Sequence, residues 1–384
     1  MSTELFAIAE KVYAGERLSF EEAMTLYRSP NLPFLGHLAS VVRFRRKPER
    51  IVTFIISRNI NYTNVCWVQC KFCAFYRLPQ DEEAYVLSDE EIFQKIEELD
   101  AVGGREILIQ GGLNPKLRID YFERLFQAIK GRWPHINIHG LSVAEVLYIA
   151  KISKLSVEET LIRLREAGMG SLPGAGGEIL VDEVREVIAP YKDRTDEWLE
   201  VMRTAHRLGM RTTATMMYGH VERPEHRIET LLRIRELQDE TGGFTAFAAW
   251  NFQPEGTRLP IRRKASGFDY LKTIALSRLV LDNVDNIQAS WVTQGPKIAQ
   301  ISLDYGVNDF GQTMMEENVV SAAGTRYELG IRDICRLIRD AGYTPRLRTT
   351  FYEDAGDPEE LLRQLSEKRR SLLNAAPAGE RVIS

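Results

Sequence analysis

The chain has 384 residues, of which 44% are hydrophobic and 27% are charged, as in a globular protein with room for one large domain or two ordinary ones. Its formal net charge of −4 at pH 7 excludes the overall basic field that favours nucleic acids or anionic membranes as partners. The first residues carry acids without a long apolar run, and no later segment is apolar enough to span a bilayer, so we expect a cytoplasmic protein with neither kind of partner.

Residues 1–49 are predicted to form an N-terminal helical extension. Apolar residues recur at helical spacing at Leu5, Ile8 and Val12, and Ser19–Glu22 has the pattern of a capping box. A charged run at 43–50 then leads out of the extension, and we expect it to be a solvated connector.

Residues 50–350 alternate short β-rich runs with helical patterns. The alternation predicts an α/β protein with a parallel sheet, a (β/α)8 TIM-type barrel, with a doubly wound open sheet as the alternative. Residues 351–384 are predicted to form a C-terminal helical tail. The predicted strands are Ile51–Ile60, Glu106–Gln110, Ile136–His139, Met169–Leu172, Arg211–Met217, Phe244–Asn251, Asn286–Ser290 and Asp304–Asn308.

Three of the four cysteines, Cys66, Cys70 and Cys73, follow the first predicted strand within eight residues. Three thiolates at this spacing can each bind one iron of a cubane cluster, which leaves the fourth iron open for a substrate or cosubstrate. A zinc site would need a further Cys or His pair at short spacing, and a disulfide would need an even number of cysteines and an oxidising compartment. Cys335 lies on the apolar side of a helical pattern, where we expect a buried thiol.

The stretch Cys66-x3-Cys70-Lys-Phe-Cys73 resembles the motif of the radical S-adenosylmethionine (SAM) enzymes. The resemblance implies a [4Fe-4S] cluster held by the three cysteines, with SAM bound to the open iron through its amino and carboxylate groups. It also implies a reductant such as ferredoxin or flavodoxin, and cleavage of SAM to methionine and a 5′-deoxyadenosyl radical. The competing hypothesis is an iron–sulfur electron carrier without catalysis, which would need a fourth ligand and no large cavity.

Glycine and polar residues follow several predicted strands, at the end of the barrel where (β/α)8 enzymes hold their sites. After the second strand, Gly111 and Gly112 allow a close backbone approach to a ligand, although Gly-Gly before Asn-Pro is also a common turn. The pair resembles the radical SAM motif that contacts the amino group of SAM, with Leu113 in place of the usual acid.

Two further segments are candidates for contacts with SAM or substrate. Ser142 and Glu145 follow the third strand, where a capping box and a ligand-binding role are about equally consistent with the pattern. Glu178 ends a glycine-rich loop after the fourth strand and is a candidate catalytic acid.

The last strands supply the remaining candidates. His220 follows the fifth strand and Asp309 directly follows the eighth, so both are predicted catalytic residues. A lone histidine is often only a hydrogen-bonding residue, however, and the acids of the loop at Asp309 are also consistent with a solvated face. The segments Trp250–Pro254 and Ser290–Gly295 carry aromatic and amide groups that suit a flat, polar organic ligand, although core packing explains the two tryptophans equally well.

Several stretches together resemble the futalosine-pathway enzymes of menaquinone biosynthesis: Cys73–Arg77, Ser171–Leu180, Thr213–Glu222, Gln238–Phe247 and Asn308–Glu317. Within the first stretch, Phe75 is expected to contact the cofactor. The segments around Trp250 and Ser290 are most similar to the cyclase branch of that pathway, whose substrate is dehypoxanthine futalosine. The resemblance implies hydrogen abstraction from the ribose C4′ and carbon–carbon bond formation to the benzoate ring. The aminofutalosine synthases, which add a radical to an enolpyruvyl substrate, are the alternative.

Overall fold

The structure, a computed structural model, describes residues 3–324 and 327–375. Met1 and Ser2 of the predicted extension and residues 376–384 of the predicted tail lie outside the described residues. The helices are α1 Thr3–Ala14, α2 Phe20–Arg28, α3 Leu32–Arg46, α4 Asp89–Ala101, α5 Ile119–Arg132, α6 Val143–Ser153, α7 Val157–Glu166, α8 Asp182–Ile188, α9 Thr195–Arg207, α10 Pro224–Thr241, α11 Gly267–Val280, α12 Trp291–Gln294, α13 Pro296–Ser302, α14 Ile331–Asp340 and α15 Pro358–Ala375. The strands are β1 Ile51–Ile55, β2 Ser57–Asn61, β3 Glu106–Gln110, β4 Asn137–Gly140, β5 Met169–Leu172, β6 Arg211–Tyr218, β7 Phe244–Asn251, β8 Asn286–Gln288, β9 Asp309–Gln312, β10 Thr344–Arg348 and β11 Asp354–Gly356.

The N-terminal extension is helical, as predicted. Ser19 caps α2, since its hydroxyl accepts the backbone N–H of Glu22 and the Glu22 carboxylate accepts the N–H of Ser19. The three helices bury Ile8, Leu26 and Leu38 in the main apolar cluster. They therefore pack as part of the same core as the barrel.

The sheet is a curled, mainly parallel sheet that returns to its own first strand. From β3 to β9 each strand pairs in parallel with the next. β1 and β2 form one extended run with only Ile56 between them; β1 pairs with β9, and β2 pairs with β3. This arrangement confirms the predicted (β/α)8 barrel.

The predicted first strand, Ile51–Ile60, is in fact broken at Ile56. The break lies where the chain changes partners from β9 to β3. Outside the barrel, β10 pairs in parallel with β1, and β11 pairs antiparallel with β10. The sequence did not predict these two strands, and β11 lies within residues 351–384, where a helical tail was expected; α15 is the helix of that region.

The predicted strand Asp304–Asn308 is wrong. Leu303–Tyr305 forms a turn of 3₁₀-helix, Gly306 has φ +92°, and the strand begins only at Asp309. Sequence patterns place a charged residue such as Asp309 outside a strand because buried carboxylates need a partner. Here the partner is Arg348, 39 residues further along the chain.

Alternate residues of a strand lie in the apolar core and on the wall of the barrel interior. On β3, Ile107 and Ile109 belong to the apolar core, whereas Leu108 and Gln110 line a cavity inside the barrel. None of the helices among the described residues is long and apolar enough to cross a membrane.

Candidate active site

A cavity of about 400 Å³ opens at the carboxyl ends of the strands and continues into the barrel. Its wall includes the three motif cysteines, residues that follow β3, β4 and β8, and residues from the middle of the strands such as Leu108 and Ala248. The volume lies within the range of small-molecule sites, about 300–1,000 Å³. The cysteine loop and the barrel interior thus share one space.

The cysteine loop is held by backbone hydrogen bonds at both ends. The N–H of Cys66 donates to the carbonyl of Arg77 over 2.9 Å, and the N–H of Arg77 donates to the carbonyl of Asn64 over 2.8 Å. The N–H of Cys73 donates to the carbonyl of Cys70 over 3.1 Å. The loop is therefore folded so that all three thiols border the same cavity.

The three thiols fit a cluster better than a single ion. Among the described residues, no three His, Cys, Asp or Glu side chains converge as the ligands of one metal ion would. A cubane does not require such convergence, because each thiolate binds a different iron. Burial raises the pKa of Cys70 and of Cys73, so thiolates at these positions need the compensating positive charge that bound iron supplies.

Gly111 and Gly112 form the turn that lies directly behind the cysteine loop. A Cβ on Gly112 would lie 2.2 Å from the carbonyl oxygen of Val65, and a Cβ on Gly111 would lie 2.8 Å from the Tyr62 ring. The N–H of Gly112 donates to the carbonyl of Thr63 over 2.9 Å. Both glycines line the cavity, and their lack of side chains allows this close approach.

Ser142 and Glu145 form the capping box of α6 and also line the cavity. One carboxylate oxygen of Glu145 accepts the Tyr62 hydroxyl over 2.8 Å and the N–H of Gly111 over 2.9 Å, and the other accepts the N–H of Ser142 over 2.7 Å. Burial raises the pKa of Glu145 to about 7, although these hydrogen bonds act to lower it. The carboxylate thus joins the ends of three barrel strands.

Glu178 faces the cavity and forms an ion pair with Lys192, which the sequence analysis missed. The Glu178 backbone has φ +38°. Burial acts to raise the pKa of Glu178, but the Lys192 ammonium holds it below its usual value. Lys192 also lies 5.6 Å from the centre of the Phe72 ring in the cysteine loop. No local pattern marks Lys192, because it is in the loop after α8 and meets Glu178 only in the fold.

His220 does not line the cavity. Its Nδ1 accepts the N–H of Val221 over 2.8 Å, and its Nε2 lies 3.1 Å from the carbonyl of Met217. Burial lowers the pKa of His220, although the neighbouring Glu222 carboxylate acts to raise it. The imidazole therefore fixes the turn after β6, and the structure does not bring it together with the cysteines.

Asp309 is also outside the cavity wall, fully buried at the start of β9. Its carboxylate accepts Nε of Arg348 over 2.6 Å, the Thr53 hydroxyl over 2.6 Å and the N–H of Gly311 over 2.9 Å. The Arg348 guanidinium stacks 4.1 Å from the centre of the Tyr352 ring, and the Tyr352 hydroxyl accepts Nε2 of Gln288 over 2.8 Å. Gln288 and Gly311 are the members of this network that reach the cavity.

Two further segments, around Trp250 and Ser290, contribute to the cavity wall. Trp250 and Trp291 both border the cavity, and the indole N–H of Trp291 donates to the carbonyl of Gln312 over 3.0 Å. The hydroxyls of Ser290 and Thr293 lie 2.8 Å apart beside it. These segments place aromatic faces and hydroxyls together on the cavity wall.

The segment after β9 covers part of the cavity with Met314, Val319 and Val320. Glu316 anchors it to the barrel through Arg58 over 3.0 Å and Lys95 over 2.7 Å. The Glu317 carboxylate accepts the N–H groups of residues 319, 320 and 321. These two acids therefore hold the covering segment in place.

Phe75 borders the cavity beside the cysteines. Of the predicted site residues, eight thus share this wall: Cys66, Cys70, Cys73, Phe75, Gly111, Gly112, Ser142 and Glu145. Glu178 joins them from the glycine-rich loop, and only His220 and Asp309 lie elsewhere.

Two sequence families match the chain. Residues 60–234 match the Radical SAM superfamily, and residues 241–361 match the CofH/MqnC C-terminal region. The first match covers the cysteine loop, and the second covers the segments around Trp250, Ser290 and Asp309.

Curated relatives match almost the whole chain. The chain is 50% identical to cyclic dehypoxanthine futalosine synthase of Halalkalibacterium halodurans, over 90% of this chain and 94% of that protein. It is 44% identical to 5-amino-6-(D-ribitylamino)uracil–L-tyrosine 4-hydroxyphenyl transferase of Methanothermobacter thermautotrophicus, over 89% and 95%. It is 40% identical to aminodeoxyfutalosine synthase of Thermus thermophilus, over 91% and 95%.

The fold is also similar to that of a solved structure. Methylornithine synthase superposes with a TM-score of 0.68 over 88% of this chain and 97% of that one, at 22% sequence identity. At that identity the likeness concerns the barrel alone.

Proposed function

The chain belongs to the radical SAM superfamily of enzymes, to the group with the CofH/MqnC C-terminal region, and we propose that it converts dehypoxanthine futalosine to cyclic dehypoxanthine futalosine. The reaction would form a bond between the ribose C4′ and the benzoate ring of one substrate molecule. The C4′ hydrogen would pass to the 5′-deoxyadenosyl radical. The ring would then give up a proton to solvent and an electron to the oxidised cluster, which restores aromaticity. The product is two hydrogens lighter than the substrate.

One observation carries the proposal: the cysteine loop and the barrel interior border the same cavity. An intramolecular cyclisation needs its substrate folded so that the reacting atoms approach within about 3–3.5 Å. The cavity offers a polar wall on β2 and β9 and an aromatic wall at Trp250 and Trp291, which are suited to a sugar and a ring respectively. The 50% identity to a cyclic dehypoxanthine futalosine synthase supports the same substrate.

We propose that Cys66, Cys70 and Cys73 hold a [4Fe-4S] cluster and that Gly111 and Gly112 face SAM. When bound, the cluster and SAM supply a 5′-deoxyadenosyl radical, and the chain's own residues supply placement. Phe75, Ser142 and Glu145 border the same part of the cavity and are proposed to complete the SAM site.

The rest of the cavity wall is proposed to orient the substrate and exclude water. Leu108, Phe72 and Val292 give it an apolar lining, and the segment with Met314 and Val319 covers it. Glu178, the one predicted catalytic residue on the wall, is proposed to face the reactants with its charge balanced by Lys192. His220 and Asp309 are proposed to position the loop after β6 and strand β9.

An external one-electron donor is also required, and we propose ferredoxin or flavodoxin in the cytoplasm. The open face of the loop, where Trp67 is 37% exposed one residue after Cys66, leaves the cysteines near the surface. A small reduced carrier would then reach the cluster without entering the barrel.

The test is incubation of the cluster-loaded, dithionite-reduced enzyme with SAM and dehypoxanthine futalosine, followed by mass spectrometry. We expect 5′-deoxyadenosine and a product two hydrogens lighter than the substrate. Glu10→Ala, at an exposed position of α1, is a control that should give the same products. A covalent adduct of adenosyl group and enolpyruvyl substrate would instead identify an aminodeoxyfutalosine synthase, and a product from tyrosine and a ribityl uracil would identify the transferase reaction.

A further inference from the structure

The interior of this barrel carries polar side chains at strand positions that (β/α)8 barrels usually fill with branched apolar side chains. Seven strands each place a residue from the middle or end of the strand on the cavity wall, and only one of these is a large aliphatic residue. They are Asn59, Leu108, His139, Thr213, Ala248, Gln288 and Gln312. The cavity thus extends between the strands, and its deeper wall is built for hydrogen bonding.

Three side-chain carbonyl oxygens on this wall have no hydrogen-bond partner within the described part of the chain: Oδ1 of Asn59, Oδ1 of Asn61 and Oε1 of Gln312. Asn59 is 4% exposed and Asn61 is 3% exposed. Leaving a buried acceptor unpaired costs about 1–3 kcal/mol, and native proteins keep few such groups. Three on residues of one wall leave acceptors that the hydroxyl or N–H groups of a ligand can satisfy.

The amide nitrogens of two of these residues already donate hydrogen bonds within the protein. Nδ2 of Asn61 donates to the carbonyl of Gln110 over 3.3 Å, and Nε2 of Gln312 donates to the Glu106 carboxylate over 3.1 Å. The oxygens are therefore the atoms left for a ligand. Gln288 differs, because its nitrogen donates to Tyr352.

The three oxygens come from neighbouring parts of the barrel. Asn59 and Asn61 are both on β2, and Gln312 ends β9, whose partner β1 is continuous with β2. Since all three groups accept hydrogen bonds, the wall selects hydroxyl or N–H donors. A carboxylate, which only accepts, cannot donate to these three oxygens.

We infer that Asn59, Asn61 and Gln312 form a subsite for the ribose hydroxyls of the substrate, with the carboxylated ring directed away from them. The inference rests on the proposed function and adds the orientation of the substrate within the cavity. Holding the sugar by its hydroxyls would fix C4′ while the ring lies against the aromatic wall.

The central test is Asn59→Leu, which keeps the side-chain size and removes the acceptor. Binding of dehypoxanthine futalosine to the cluster-loaded, SAM-bound enzyme is measured by calorimetry without reductant, together with the melting temperature. We expect the Kd to rise roughly tenfold or more, as for loss of a buried hydrogen bond. The melting temperature should stay the same or rise, because an unpaired buried carbonyl is removed. A purely structural Asn59 would give the opposite, a lower melting temperature with unchanged Kd.

A matched control and a second variant complete the design. Gln300→Leu removes an amide that donates to the carbonyl of Leu337 outside the barrel, and it should leave the Kd unchanged. If Asn59→Leu misfolds, Gln312→Met replaces it with the same expected rise in Kd. A substrate analogue lacking one ribose hydroxyl should bind the wild type more weakly, but should lose little further affinity in the variant whose partner it lacks.

The outcomes separate this inference from the proposed function. If the wild type converts dehypoxanthine futalosine but Asn59→Leu, Asn61→Leu and Gln312→Met all bind it as tightly as the wild type, water alone fills the wall and the subsite is overturned. If the wild type neither binds nor converts dehypoxanthine futalosine, the proposed function fails and the subsite assignment fails with it.

Discussion

The two halves of the barrel differ in how far apart along the chain their interacting residues lie. In the cluster half, residues 60–234, the three thiols lie within eight residues and the Ser142–Glu145 cap spans three. In the C-terminal half, residues 241–361, Asp309 meets Arg348 across 39 residues, and Gln312 meets Glu106 across 206. The thiols and the helix cap of the first half are therefore visible in the sequence, whereas these two contacts of the second half exist only once the barrel has formed.

The largest expected effect is in the cluster half, where the three thiols lie close together in the sequence. Cys70→Ala removes one of the three thiols, so we expect loss of bound iron and sulfide and of all 5′-deoxyadenosine formation after reduction. Cys335→Ala is the control, because that thiol is buried in α14, far from the cavity wall. Equal loss of iron in both variants would contradict the three-ligand assignment.

In the C-terminal half, we expect loss of a contact between distant residues to lower the free energy of unfolding. Arg348→Met leaves the Asp309 carboxylate buried without its cation, and breaking a buried pair in this way costs about 3–5 kcal/mol. We expect this loss in the free energy of unfolding measured with urea. Arg346→Met, two residues away, removes an exposed pair with Asp354 and should cost less than about 1 kcal/mol. Similar losses of unfolding free energy in the two variants would show that the buried pair stabilises the fold no more than the exposed pair does.

Glu145 links the local cap to three strand ends, and its protonation makes the link sensitive to pH. Its pKa is raised to about 7 in the folded protein, so its stabilising contribution is complete below about pH 4.5 and is lost as the pH rises through 7. Between those values the wild type should lose about 3 kcal/mol relative to Glu145→Gln. The measurement is urea unfolding of both proteins at several pH values, and a difference that does not change with pH would contradict it.

The smallest expected effect concerns the turn behind the cysteine loop. Gly112→Ala would place a Cβ 2.2 Å from the Val65 carbonyl, and overpacking of this kind costs about 1–3 kcal/mol. We expect lower thermal stability and a reduced iron content on reconstitution. Gly131→Ala meets no atom within 4 Å near the end of α5 and should be neutral or slightly stabilising. If the two variants retained iron equally well, the turn would not support the loop.

Much of the fold could be predicted because each strand is a short, locally patterned run. β3, β5 and β7 begin and end where the sequence predicts, and the cap at Ser19 is formed. The wrongly predicted strand bounds are those that a tertiary contact determines. Ile56 interrupts the first strand because the chain changes partners there, and β9 starts at Asp309 because Arg348 neutralises a buried carboxylate.

The same distinction applies to the candidate site. The thiols, Gly111, Gly112 and Glu178 could be named because each is in a local motif after a predicted strand. Lys192, Asn59 and Gln312 could not, because an isolated lysine or amide carries no pattern of its own. Their importance comes from burial and from the partners they have, or lack, in the fold.

The most direct test of the proposed cyclisation follows a single hydrogen atom. Reduced enzyme, SAM and dehypoxanthine futalosine carrying deuterium at the ribose C4′ are incubated together, and the 5′-deoxyadenosine is analysed by mass spectrometry. If the sugar reacts in the cavity shared with the cysteine loop, the deoxyadenosine gains that deuterium and the cyclised product lacks it. Deoxyadenosine without deuterium, beside a product that retains it, would contradict the proposed reaction.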